Sequence, residues 1–234
     1  MAGNDTPAIT MNIGAPGGAE DVPVLREGDA LDLPEGAVEN PDGTVLLTLS
    51  SPVAVALSSA GGAVAVSETI ETLLFKRTTG AQARRFLRLG GRAGSKSVIA
   101  ACVGMNEATF ARLNARADAA DVTAMFGVVG ALLDLGVELP DKARESADGT
   151  IVLPLRPSPE GAELPESLMF RRLTGAHLDL IARAKDSLVT GVQLSTGMKL
   201  AEVDALLNDC DGADVLAAHR VVLFLSMSGR RTGS

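Results

Sequence analysis

The stretches "LFKRTTGAQ" (Leu74–Gln82) and "MFRRLTGAH" (Met169–His177) decide how this chain is read. Each runs Phe, basic residue, Arg, one free position, then Thr-Gly-Ala, and they stand 95 residues apart. Upstream of each, apolar and β-branched residues alternate, as in a strand with one buried face. Downstream, "TGAQARRFLRL" and "GAHLDLIARAKDSLV" take a helical period. Thr79 precedes the first helix with Gln82 three residues on, the spacing of a capping box. Thr174 caps the second in the same way.

Other matches follow in the same order. "DGTVLLTL" from Asp42 meets "DGTIVLPL" from Asp148 at an offset of 106. Asp118-Ala-Ala-Asp121-Val122 meets Asp211-Gly-Ala-Asp214-Val215 at an offset of 93, and Val128-Val129 meets Val221-Val222 at 93 again. The shrinking offset places deletions in loops, where length changes are tolerated. A period of this size is a domain duplicated, not a solenoid. The expected fold class is α+β: two tandem modules, each a small antiparallel β-hairpin or sheet followed by three to four short helices, after an extended N-terminal arm. The boundaries are residues 1–40 for the arm, 41–140 for the first module and 147–234 for the second.

In the first module, strands are expected near 44–49, 53–57, 62–66 and 69–76, with turns at Ser50-Ser51-Pro52 and Gly61-Gly62. Helices follow over "SKSVIAACVG", "NEATFARLNARA" with Asn106 as cap, and "DAADVTAMFGVVGALLDLG" with Asp118 as cap and Gly136 as stop. The link "VELPDKARESA" leads to strands near 150–155 and 167–172. The helix begun at Thr174 comes next, then "GMKLAEVDALLND" and the apolar "DGADVLAAHRVVLFLSMSG". That last helix is read as core of the second module, with a partner-binding face as the other reading.

The formal net charge is −8, and residues 1–40 alone carry a net −7. The remainder has no basic footprint for a phosphate backbone, so a nucleic-acid partner is not expected. Without Trp or Tyr, stacking sites for sugars or bases lack their usual material. The 25-residue charge-free stretch Gly43–Ser67 alternates like strands and holds Pro52, Gly61 and Gly62, so no membrane span is expected. No signal peptide is read at the N-terminus. Cys102 and Cys210 form no CxxC and lie near no histidine pair, so they read as reduced thiols without a metal.

No catalytic constellation stands out. "GGRAGSKS" (Gly90–Ser97) superficially suggests a phosphate loop, but Ser95 separates Gly94 from Lys96, and a helix–helix loop is the better reading. His177 and His219 have no counterparts in the first module, and the paired aspartates read as helix caps. The chain is therefore read as no enzyme, with no cofactor and no metal. The candidate partner-binding residues are basic: Lys76, Arg77, Arg84, Arg85 and Arg88, with Arg171 and Arg172 repeating the strand-end pair. They form either a solvated helix face or a contact for acidic surfaces, including the arm of a neighbouring copy.

A strand hairpin, then "FKRTTGAQARRF", then short helices ending in "FARLNARADAADVTAMFGVVGALL" resembles the tail assembly chaperones of Mu-like phages. The resemblance covers residues 44–135 well and 150–228 more loosely. It implies a non-enzymatic protein that acts in the host cytoplasm during phage assembly. Such a protein binds the tape-measure protein and keeps its apolar helices soluble until tail tube subunits arrive. Two features depart from the family pattern: the module occurs twice, and an acidic arm precedes it. They leave open a second role, a virion structural protein of the tail or capsid surface built on the same module. Either role goes with a homo-oligomer and with other virion proteins as partners.

Overall fold

The computed structural model describes residues 31–57, 66–136 and 138–227. Most of the acidic arm, the Gly61-Gly62 turn and most of the strand expected near 62–66 lie outside the described residues. The architecture is α+β, and the described residues fall into the same order of elements twice. In the first half, β1 (Ala37–Glu39), β2 (Val45–Leu57) and β3 (Val66–Phe75) form an antiparallel sheet in the order β1-β2-β3. Then come α1 (Gly80–Leu89), α2 (Gly91–Cys102), α3 (Glu107–Arg116) and α4 (Ala119–Leu132). In the second half, β4 (Arg144–Glu145), β5 (Ile151–Pro154) and β6 (Ser167–Phe170) form a sheet in the order β4-β5-β6. It is followed by α5 (Gly175–Arg183), α6 (Ser187–Thr196), α7 (Leu200–Asp209) and α8 (Gly212–Met227).

Local chemistry repeats with the topology. The Asp-Gly-Thr stretches are hairpin turns joining β1 to β2 and β4 to β5. Asn40 N–H donates to Thr44 O at 2.8 Å, and Ser146 N–H donates to Thr150 O at 2.8 Å. Asp42 accepts from the N–H and hydroxyl of Thr44, and Asp148 from those of Thr150. Gly43 (φ 75°) and Gly149 (φ 77°) supply the left-handed position such turns need. The two strand ends are tied alike: Lys76 N–H donates to Cys102 O at 2.9 Å, and Arg171 N–H to Ser195 O at 2.8 Å. Both Thr-Gly-Ala starts are capped. Thr79 and Gln82 form a reciprocal capping box, and Thr174 forms one with His177, whose Nδ1 accepts from the Thr174 N–H.

Several sequence expectations need correction. Ser50-Ser51-Pro52 is not a turn: β2 runs through it, and the register against β3 slips between Thr48↔Thr72 and Val53↔Ile70. Both flanking stretches pair with β3, so the extra residues form a bulge that accommodates a proline without a donor. "GGRAGSKS" is not a loop. Only Gly90 separates α1 from α2, and Gly94 lies inside α2, where a side chain would run into Phe86. The helix begun at Thr174 stops at Arg183, and Asp186 caps a second one by accepting from Val189 N–H at 3.1 Å. Helix α4 ends before Gly136, with Asp134 taking a positive φ of 50°. The strands β1 and β4, three and two residues long, are too short to show the alternation pattern.

There are two apolar cores, and each borrows from the other half. The first gathers Val45, Leu47, Phe75, Ile99, Phe110, Leu113, Met125 and Val129, and includes Leu216 of α8. The second gathers Ile151, Leu153, Phe170, Val192, Val203, Leu207 and Val221, and includes Ala83 of α1. Leu87 of α1 packs against both. The described residues accordingly form one compact unit. Among the described residues no helix is long and apolar enough to cross a membrane.

Candidate functional site

The duplicated halves meet at the stretch that announced them. The chain entering α1 pairs with the chain entering α8: Gly80 N–H donates to Cys210 O at 2.7 Å, and Gly212 N–H to Thr78 O at 2.8 Å. Beside this bridge, Arg77 Nε donates to the buried Asp211 at 2.6 Å, and Arg156 approaches the same carboxylate at 3.7 Å. Burial pushes Asp211 above the usual carboxylate range, with Arg77 pulling the other way. Asp211 also caps α8 through Ala213 N–H.

Arg84 closes the far side of the joint. Its guanidinium reaches Asp186 and Asp204 at 2.9 Å each, and Asn208 Oδ1 at 2.7 Å. Burial raises the Asp186 carboxyl, but the hydrogen bonds from Arg84 and Val189 N–H and the nearby charge of Arg84 together outweigh it, and the net shift is downward. A third tie runs from Arg220 of α8 to Asp134 at 2.5 Å.

The paired aspartates divide their work. Asp118 caps α4 through Ala120 N–H, as Asp211 caps α8. The second aspartate of each pair reaches out of its helix to the strand. Asp121 accepts from Ser50 N–H at 2.8 Å and from its hydroxyl at 2.9 Å. Asp214 accepts from Arg156 N–H at 2.6 Å and holds the Lys142 ammonium. Ser50 and Arg156 are counterparts at the offset of 106, so this is one contact built twice.

The basic candidates separate accordingly. Arg77 and Arg84 are committed to the joint, and Arg84 is buried. Arg84 and Arg85 therefore do not share an outer face: Arg84 points into the joint, and Arg85 pairs with Glu107 in the open at 2.6 Å. Arg88 is exposed and lines a shallow hollow with His219 and Lys185. Lys76, Arg171 and Arg172 are exposed.

Lys76 and Arg171 have apolar companions that basic residues alone would not reveal. Strand alternation puts Leu74 and Lys76 on the outer side of the first sheet, and Met169 and Arg171 on the outer side of the second. Leu74 is 42% exposed and Met169 56%. Leu74 pairs in register with Leu46, which pairs with Val38 (62% exposed), giving an apolar row across three strands. In the second sheet, Met169 pairs with Val152, and Val152 with Arg144. The sequence does carry a signal for this: the repeated "LFKR" and "MFRR" put a large apolar residue at a position alternation assigns to solvent.

An open groove of about 530 Å³ lies between α6 and α7, lined by Val189, Thr190, Leu200 and Ala201 with Asp186 and Asp204 at its rim. His219 is half-buried, and burial lowers its pKa from the ordinary histidine value. Cys102 and Cys210 are free and buried, and burial pushes both thiols up to about 12. Neither thiol should react with Ellman's reagent at pH 8 in the native protein, and both should react in denaturant. A rapid native burst would contradict this packing. Among the described residues, no group of three or more His, Cys, Asp or Glu side chains is placed to hold a metal ion.

No family model, curated protein or solved structure matches this chain.

Proposed function

We propose that this protein is a non-enzymatic assembly chaperone of the phage-tail kind, which binds an apolar helical segment of the tape-measure protein in the host cytoplasm. The observation that carries this reading is the outward apolar–basic pair presented twice, Leu74 with Lys76 and Met169 with Arg171. Exposed apolar side chains are unremarkable when scattered. Here they recur at one position of a duplicated sheet, each with a cation two residues on, and the first sheet extends the patch to Leu46 and Val38. Such a surface suits an amphipathic partner with an apolar stripe and acidic flanks. Two patches on one chain give a two-point grip, tighter than either alone and released when a competitor displaces one point.

Immobilised tape-measure protein should retain the wild-type chain. Leu74→Glu or Met169→Glu alone should weaken capture by about tenfold, and the double substitution should abolish it. Both side chains face solvent, so circular dichroism should be unchanged. Full capture by the double variant would remove the reading.

A virion structural role has one observation in its favour: the halves are joined end to end, as in a repeating assembly. Mass spectrometry of purified particles separates the two. Stoichiometric presence selects the virion component, and absence selects the chaperone.

A further inference from the structure

The joint inside this chain is built from parts of which a second set is left over. In the duplication, α1 corresponds to α5, and the α3–α4 corner to the α7–α8 corner. The chain docks the start of α1 onto the α7–α8 corner. Were the halves related by a twofold axis, the start of α5 would dock onto the α3–α4 corner as well. Among the described residues it does not. Asp211, Gly212 and Ala213 are buried, whereas their counterparts Asp118, Ala119 and Ala120 are exposed. Gly80, Ala83 and Arg84 of α1 are buried, whereas α5 buries no residue at all.

The unused parts keep the chemistry of the used ones. Arg77 and Asp211 are ion-paired, and their counterparts Arg172 and Asp118 are both exposed, with no ion pair to a described residue. Gly80 has a reason to be glycine: a side chain there would strike the Leu207 carbonyl and come within 2.8 Å of Val215. Among the described residues Gly175 has no such reason, since none lies within 4 Å of the place its side chain would occupy. A glycine needed for a close approach stands where the described residues offer no approach. Val122 stands ready as the counterpart of Val215. The outer charge is exchanged in sign: Asp179 replaces Arg84 on α5.

We propose that the start of α5 of one copy docks onto the α3–α4 corner of a second copy, with Arg172 on Asp118, so that chains join head to tail. The occupant of both faces is thus another molecule of this protein, and the template is the joint already inside it. A heterologous contact of this kind leaves the same two ends free after each addition, so it grows into an open filament or closes as a ring. The joint between copies is looser than the internal one. Ala119 and Leu173 stand where Gly212 and Thr78 meet so closely that a side chain on Gly212 would strike Thr78. Association is therefore reversible and depends on concentration. The inference stands whether the tail role is that of chaperone or of virion component.

Sedimentation velocity over a concentration series tests it on the full chain. Wild-type mass should rise above the 24.0 kDa of one copy as concentration increases. Arg172→Glu and Asp118→Lys each reverse an exposed charge; although Asp118→Lys also removes the α4 cap, each should keep its circular dichroism and raise the dissociation constant at least about tenfold. Gly175→Ala should keep the fold and weaken association. In an equimolar mixture Arg172 of one variant meets Asp118 of the other, and the two reversed charges meet each other, so the mixture should regain growth that neither variant shows alone. Both reversals in one chain should restore growth. Three results would overturn the proposal: a wild-type chain that stays monomeric, charge variants that associate like wild type, or a mixture that associates no better than either variant alone.

Discussion

Gly80→Ala should lower the unfolding free energy by about 2–3 kcal/mol, at the upper part of the range for overpacking a fitted site. Gly175→Ala, the same change in the second Thr-Gly-Ala, should raise it by about 0.5–1 kcal/mol. The sequence around the two is nearly the same, so the opposite signs come from tertiary placement alone. At Gly80 the obstruction is the backbone carbonyl of Leu207, which cannot swing aside as a side-chain tip can. Relief requires α1 to lift from α7 and α8. That lengthens the Gly80–Cys210 and Gly212–Thr78 hydrogen bonds and draws Arg77 away from buried Asp211. At Gly175 the space is open, and alanine is the better helix former in the first turn. Urea denaturation of both variants at one protein concentration gives the comparison. Equal effects would mean that the joint is not part of the cooperative unit. A lower m-value for Gly80→Ala alone would show the halves melting separately.

Much of this fold is legible in the residues themselves, and the reason lies in which forces are local. Thr79 with Gln82, Asn106 and Asp118 are readable as caps because capping is decided within three residues. The buried stripe of α4 is readable because its period is helical: Met125, Val129, Leu132 and Leu133 are in the core. Strands β1 and β4 escape such a reading because three and two residues are too few to carry alternation. The Asp-Gly-Thr turn beside each is the signal, for such a turn needs a strand on both sides. The destinations of Arg77, Arg84, Asp121 and Asp214 are not legible, because each pairs with a residue tens of positions away or more. Four charged residues at strand ends and within helices look alike in sequence. Only the fold separates a cap from a tie, or a joint from a free surface. The pair Leu74 and Lys76 shows the same limit, since alternation assigns both to solvent without saying what covers them.

Asp214→Ala is expected to be the most damaging single change at a charged position, costing about 3–5 kcal/mol. The carboxylate is 1% exposed and does two jobs at once. It accepts from Arg156 N–H, holding the strand after β5 against α8, and it is the partner of the Lys142 ammonium, itself nearly buried. Removing it leaves a cation without a counter-ion in a low-dielectric site and an amide without an acceptor. Asp121→Ala removes the counterpart contact and should cost only about 1–2 kcal/mol, because Ser50 is exposed and water can replace the lost acceptor. The excess at Asp214 belongs chiefly to stranded Lys142. Lys142→Met in the Asp214→Asn background should therefore recover much of the loss, since an apolar side chain of similar length needs no counter-charge there. Chemical denaturation of the wild type, the two single variants and the double variant closes the cycle. A double variant no more stable than Asp214→Asn alone would place the cost in the strand amide instead, and the role of Asp214 would shrink to that of its first-half twin.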